Sequence, residues 1–206
     1  RLADAGLGET ELYPMVRGRL LEINGRAVGP ADYEDERARR LVDREFNLSY
    51  MDEMPGHNRV VAGRWLDPSA AELSMEEGIA QTLGVKLGDT LRFDVAGNAV
   101  EVTVTGLRAV DWDSMRVNFF AILSPAVLRD MPQSWITALH LPEDKADLSS
   151  ALIREFPNLT IFDTGAILRQ VQGVLDQVVA AVQFLFLFTL AAGCLVLYAA
   201  LASTRD

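Results

Sequence analysis

Hydrophobic and polar positions alternate in some stretches of this chain, recur with helical spacing in others, and near the end run together without a break. From Glu11 to Val28 the pattern is extended, and Asn24-Gly25 supplies the two positive-φ residues of a type I′ turn. Pro14 and Gly18 in that stretch argue for an edge strand or a bulge. Beyond Pro30, the segment Asp32 to Phe46 reads as a helix with Leu41, Val42 and Phe46 on its buried side. Glu34, Asp35 and Glu36 precede Arg37, Arg39, Arg40 and Arg44, the order a helix dipole favours. Asn47 to Tyr50 and Arg59 to Trp65 read as short strands joined by a turn through Pro55-Gly56. Ser74-Met75-Glu76-Glu77 has the form of a capping box, predicting a helix from Met75 to Leu83 that buries Ile79, Ala80 and Leu83 and stops at Gly84. A hairpin follows: Leu91, Phe93 and Val95 alternate on one strand, Val100, Val102 and Val104 on the next, and Ala96-Gly97-Asn98 turns between them.

The second half carries weaker strand signals and a strong helical one. Ser124-Pro125 opens a short helix, because Ser suits the N-cap and Pro the first helical position. Trp135 to Leu141 alternates like a strand and places His140 within it. A helix starting at Asp147 or Ser149 and ending at Phe156 precedes a short strand at Leu159 to Phe162. Strands and helices mixed in this way predict an α+β fold. From Thr164 onward no Pro interrupts the helical pattern, and Ile167, Val171, Val174 and Val178 recur at spacings of 4, 3 and 4. A helix of about 40 residues is about 60 Å long, half of it apolar and half standing outside as a rigid stalk or a linker.

The apolar half changes the picture most. Between Val178 and Ala202 no residue is charged, and only Gln183, Thr189 and Gly193 lie outside the apolar set. About 20 helical residues cross a hydrocarbon core, so this is a transmembrane candidate. The 206 residues carry a net charge of −10, and all of it resides in residues 1–177. A phosphate-backbone binder is excluded on that ground. Cys194 is the only cysteine and lies in the apolar run, while His57 and His140 are the only histidines, which excludes thiolate chemistry and multi-histidine metal sites from the acidic part. The chain starts at Arg1 and stops four residues after the apolar run, and is expected to be a segment of a longer membrane protein. Arg169 and Arg205 are the only bases near the span and do not decide its orientation.

Two clusters have the residue types of a site. Asp52, Glu53, His57 and Asn58 could be offered as metal ligands, but their spacing fits an exposed acidic loop. Asp111 and Asp113, followed by Ser114, could hold Mg²⁺ or serve a hydrolase, yet neither a third ligand nor a base is near; a turn with a packed Trp112 accounts for the pattern. No catalytic, cofactor-binding or metal-ligating residue is therefore assigned.

The run Glu76 to Leu91 and the hairpin after it resemble the extracytoplasmic domain of FtsX-like and MacB-like ABC transporter permeases. Arg44 to Tyr50, Val110 to Phe120, and Phe186 to Gly193 with Tyr198 to Asp206 narrow the resemblance to YbbP-like permeases. The resemblance implies a MacB-type periplasmic domain over 1–163, with an α+β part at 1–66 and 133–163 and an inserted β-rich part at 67–132. It further implies a stalk helix at 164–177, a transmembrane helix at 178–202 and the start of a cytoplasmic segment at 203–206. The implied protein is a non-enzymatic permease subunit in the bacterial inner membrane, without cofactor, contacting membrane lipid. A separate cytoplasmic ABC ATPase would drive it, a hydrophobic molecule would be its substrate, and a periplasmic esterase of the lysophospholipase type would be its neighbour. A single-span periplasmic sensor or interaction domain is the alternative.

Overall fold

The structure, a computed structural model, describes residues 7, 10–114, 116–142, 145 and 147–203. Met115 and the end at 204–206 lie outside the described residues. Nine strands and five α-helices follow in order: β1 (Tyr13–Ile23), β2 (Arg26–Ala27), α1 (Glu36–Asp43), β3 (Phe46–Tyr50), β4 (Asn58–Gly63), β5 (Glu72–Glu76), α2 (Glu77–Leu83), β6 (Thr90–Val95), β7 (Asn98–Val110), β8 (Ala121–Leu123), α3 (Pro125–Leu128), β9 (Ser134–Ile136), α4 (Asp147–Glu155) and α5 (Thr164–Ser203). The fold class is α+β, and the chain divides after His140 into two units.

In the first unit six strands close on themselves. β1 pairs with β3, β3 with β8, β8 with β5, β5 with β7, β7 with β6, and β6 returns to β1. Closure leaves no open edge within the ring. Its interior is apolar, with Val16, Leu48, Leu73, Met75, Leu91, Phe93 and Leu123 all fully buried. The ring draws β1 and β3 from before residue 66 and β5 to β8 from after it. β7 is the longest ring strand, and its two halves meet different neighbours on one side: Asn98 to Thr103 face β6, and Gly106 to Val110 face β4. Two glycines permit the change of partner. A Cβ on Gly106 would stand 2.2 Å from the Arg64 carbonyl oxygen, and one on Gly63, at φ +73°, would stand 2.2 Å from that of Thr105.

The turns form as their residues require. Asn24 and Gly25 have φ of 52° and 74°, and Ala96 and Gly97 have 51° and 84°. Asn24 also reaches beyond its own hairpin, donating to Asp89 Oδ1 at 2.9 Å and accepting from the Thr90 amide at 2.8 Å, which ties the first turn to the start of β6. Along β6 and β7 burial alternates, and the faces are those the sequence assigned. α1 buries Ala38, Leu41 and Val42 and leaves Arg37, Arg39 and Arg40 in solvent, so the basic run is a solvated helix face.

Five expectations change. The helix expected over Asp32 to Phe46 is confined to Glu36–Asp43, and Phe46 opens β3. Ser74 does not cap a helix: it lies inside β5, paired on one side with Gly106 and on the other with Ile122. Glu76 takes the cap instead, accepting from the Ile79 amide at 2.7 Å. Two ladders and the burial of Leu73 and Met75 outweigh a cap worth about 1 kcal/mol. Of the edge strand or bulge expected in β1, the edge is absent, since β2 and β6 flank its end at Glu22 and Ile23, while the ladder with β6 does shift register between Leu20 and Glu22; Pro14 is accommodated near the strand's start, opposite Trp135 of β9. β9 is shorter than expected, and His140 is exposed beyond its end. Leu159 to Phe162 form no strand, because unit two offers no second strand among the described residues to complete a ladder.

One ion pair fixes the passage from β4 to β5. Arg64 holds both Glu72 carboxylate oxygens, at 2.8 and 2.5 Å, and the Asp67 amide donates to the same group at 2.7 Å. The Arg64 hydrogen bonds hold the Glu72 carboxyl below the usual range despite its partial burial. A lowered folded-state value stabilises the fold above the unfolded carboxylate value of about 4.3, and this contribution is lost as pH falls below it. Glu72→Gln is expected to flatten the acid limb of urea stability below about pH 4.5. A limb as steep as in the parent would assign acid sensitivity to other carboxylates.

Candidate functional site

Two features are built for more than packing. The first is α5, 40 residues without interruption from Thr164 to Ser203. Gln172–Val196 within it have a mean hydropathy of 2.3, and none of that stretch is buried. Twenty-five helical residues rise about 37 Å against a hydrocarbon core of about 30 Å. Phe184, Phe186, Leu190 and Leu195 each leave more than 60% of their surface exposed. Such an array is costly in water and at home in lipid. Thr189 keeps its hydroxyl inside the helix, bonded to the carbonyls of Leu185 at 3.1 Å and Phe186 at 2.9 Å, so it presents no unsatisfied donor to lipid.

The second feature is a chain of polar side chains running from the interior of unit one to the segment after β7. Arg108 of β7 is wholly buried. Its Nη1 donates to Asn58 Oδ1 at 2.8 Å and its Nη2 to the Phe119 carbonyl at 2.5 Å. Asn58 in turn donates from Nδ2 to Asn118 Oδ1 at 3.1 Å, and His57 Nε2 lies 3.0 Å from that same oxygen. Asn118 Nδ2 donates to the carbonyls of Asp111 and Arg116, each at 3.3 Å. Among the described residues no carboxylate bonds to the guanidinium. Burial lowers the Arg108 value to about 10, and the charge of Glu76 only partly opposes this.

The residues singled out in the sequence fall differently. Asp111 and Asp113 are exposed, and Asp111 Oδ1 accepts from the Asp113 amide at 3.2 Å, the turn expected there. Trp112 is half exposed and lies against Phe120, ring centres 5.0 Å apart. Asp52 pairs with Arg129 at 3.5 Å while His57 and Asn58 turn to Asn118, so the suggested ligand cluster is not brought together. Among the described residues no three His, Cys, Asp or Glu side chains are placed to hold a metal. Arg108 escaped notice although one signal was present: it falls in phase with the inward-facing Val102, Val104 and Gly106 of its strand.

A closed α+β unit followed by an exposed apolar helix long enough to cross a bilayer defines a domain carried by a membrane protein. No protein-family model matches the chain. It is 40% identical, over 198 residues and 96% of its length, to an uncharacterized ABC transporter permease of Escherichia coli K12, YbbP. The chain is thus related along nearly its whole length to a segment of an ABC transporter permease of the YbbP kind, and it spans 24% of that relative. A crystallised domain named for a permease of Porphyromonas gingivalis covers 74% of both chains at 14% identity with a TM-score of 0.34, a likeness that carries no argument.

Proposed function

We propose that the chain is the periplasmic domain and the following transmembrane helix of an inner-membrane ABC transporter permease, a non-catalytic subunit moved by a separate cytoplasmic ATPase. The observation that carries this reading is the continuity of α5. An unbroken helix of about 60 Å passes from polar surroundings into the apolar span, and such a rod transmits displacement where a flexible tether would absorb it. Kinship with a permease supplies the class. Motion relayed to the periplasmic side acts on a hydrophobic molecule in the outer leaflet or the periplasm.

Gln172→Pro in the complete protein tests the relay. Proline removes one helical hydrogen bond and clashes with the carbonyl of residue 168, at a cost of about 3 kcal/mol, yet leaves residues 178–202 able to cross the membrane. The ATPase is expected to co-purify as before while ATP-driven activity falls at least about tenfold. Undiminished activity overturns the relay. Failure of any ATPase to co-purify with the unaltered protein favours a single-span sensor.

A further inference from the structure

The polar chain beneath the Asp111 turn ends at an unusual place. Two side chains, His57 and Asn58, direct nitrogens at one oxygen, Asn118 Oδ1, and behind them Arg108 donates to Asn58 Oδ1. His57 Nε2 also faces the Val117 carbonyl at 3.3 Å; with two acceptors before it, that nitrogen carries the proton and donates. Beside them opens a hollow of about 350 Å³, lined by Gly56 to Arg59 and by Ala109 to Asp111. Arg59 borders it, and its guanidinium has no hydrogen-bonding or ion-pair partner among the described residues. Among the described residues Arg108 is served only by neutral oxygens, and its Nε has no partner. Buried guanidinium groups are ordinarily matched by a carboxylate or a phosphate. Glu76, the carboxylate whose charge acts on Arg108, is engaged in capping α2.

We propose that this hollow is a binding site for a phosphate group, in which a phosphate oxygen replaces Asn118 Oδ1 before His57 and Asn58, Arg59 pairs with the group from the rim, and Arg108 supplies positive potential from behind. The neutral amide of Asn118 fills the anion's place in the unliganded chain. Asp111 is the one carboxylate among the residues lining the hollow and opposes binding. The site does not depend on the transport reading, since it rests on unit one alone. A free phosphate and a phospholipid headgroup carry the same recognised chemistry.

The variants have signs that separate this from a purely structural cluster. Isothermal titration of the complete protein in detergent with inorganic phosphate is expected to give saturable binding. Arg59→Gln, at an exposed side chain without structural partners, weakens it about tenfold, as loss of one charge-assisted bond requires, and Arg108→Met weakens it further. Asp111→Asn, which keeps the acceptor for the Asp113 amide, tightens it. Asn118→Ala removes the internal competitor and tightens binding several-fold even as it lowers thermal stability, an opposition that a merely structural role does not produce. Vesicles of phosphatidylglycerol against phosphatidylcholine, with free phosphate as competitor, distinguish a headgroup from the free ion. Absence of saturable binding, an unchanged affinity in Arg59→Gln, or weaker binding in Asn118→Ala overturns the proposal.

Discussion

Arg108→Ala is expected to destabilise the domain by about 3–5 kcal/mol, enough to unfold much of it at 37 °C. The loss has two sources. Asn58 Oδ1 and the Phe119 carbonyl both lose their donor inside the protein, and each buried acceptor left unsatisfied costs about 1–3 kcal/mol. Truncation also leaves a void among fully packed neighbours. Arg108→Met is expected to cost clearly less. It refills most of the volume and removes a charge that is itself unfavourable where it stands, as the lowering to about 10 shows. The sign is fixed by linkage: a cation whose folded-state value lies below its unfolded one binds its proton less well in the fold, so at neutral pH the charge works against folding. Urea unfolding at neutral pH reads the order. If methionine proved as damaging as alanine, the charge and its hydrogen bonds, and not the shape, would hold the end of β7 to Asn58 and Phe119.

What could be seen in the sequence and what could not divide by distance along the chain. The turns at Asn24-Gly25 and Ala96-Gly97, the stop at Gly84 and the alternation of β6 with β7 are decided by a few neighbouring residues. So is α5, whose apolar run needs no partner to be recognised. The closed ring depends on pairs that no local pattern announces: Leu48 lies beside Ala121, and Glu72 beside Thr103, both in parallel ladders. Ser74 shows the conflict directly. Its local context spells a cap, and tertiary pairing on both flanks makes it a strand residue. Of the candidate site, the sequence places His57 and Asn58 in an exposed acidic loop. Their partners, Asn118 and Arg108, are 50 or more residues away, and a single arginine in the apolar alternation of β7 does not by itself identify what satisfies it.

Paired arginines at Leu187 and Leu190 are expected to keep α5 from inserting across the membrane. Position 187 is near the centre by either boundary of the span: Gln172–Val196 is centred on residue 184, and 178–202 on residue 190, so 187 lies within about 5 Å of both midpoints. Leu190 is on the same helix face, three residues on, and both side chains stand about two-thirds exposed, where lipid would surround them. At the centre of a span each exchange of leucine for arginine costs about 3–4 kcal/mol of insertion free energy. One such exchange is absorbed in part, because the flanking Phe184, Phe186 and Phe188 still favour lipid and a lone arginine can snorkel. Two on one face total about 7 kcal/mol and repel each other, which outweighs that reserve. Leu187→Ala is expected to leave insertion unchanged, and Gln172→Arg, at the span's margin, likewise. Alkaline extraction of membranes and protease accessibility of unit one read the outcome. A doubly substituted protein in which α5 stayed protected would show that α5 lines a wet passage and does not face lipid.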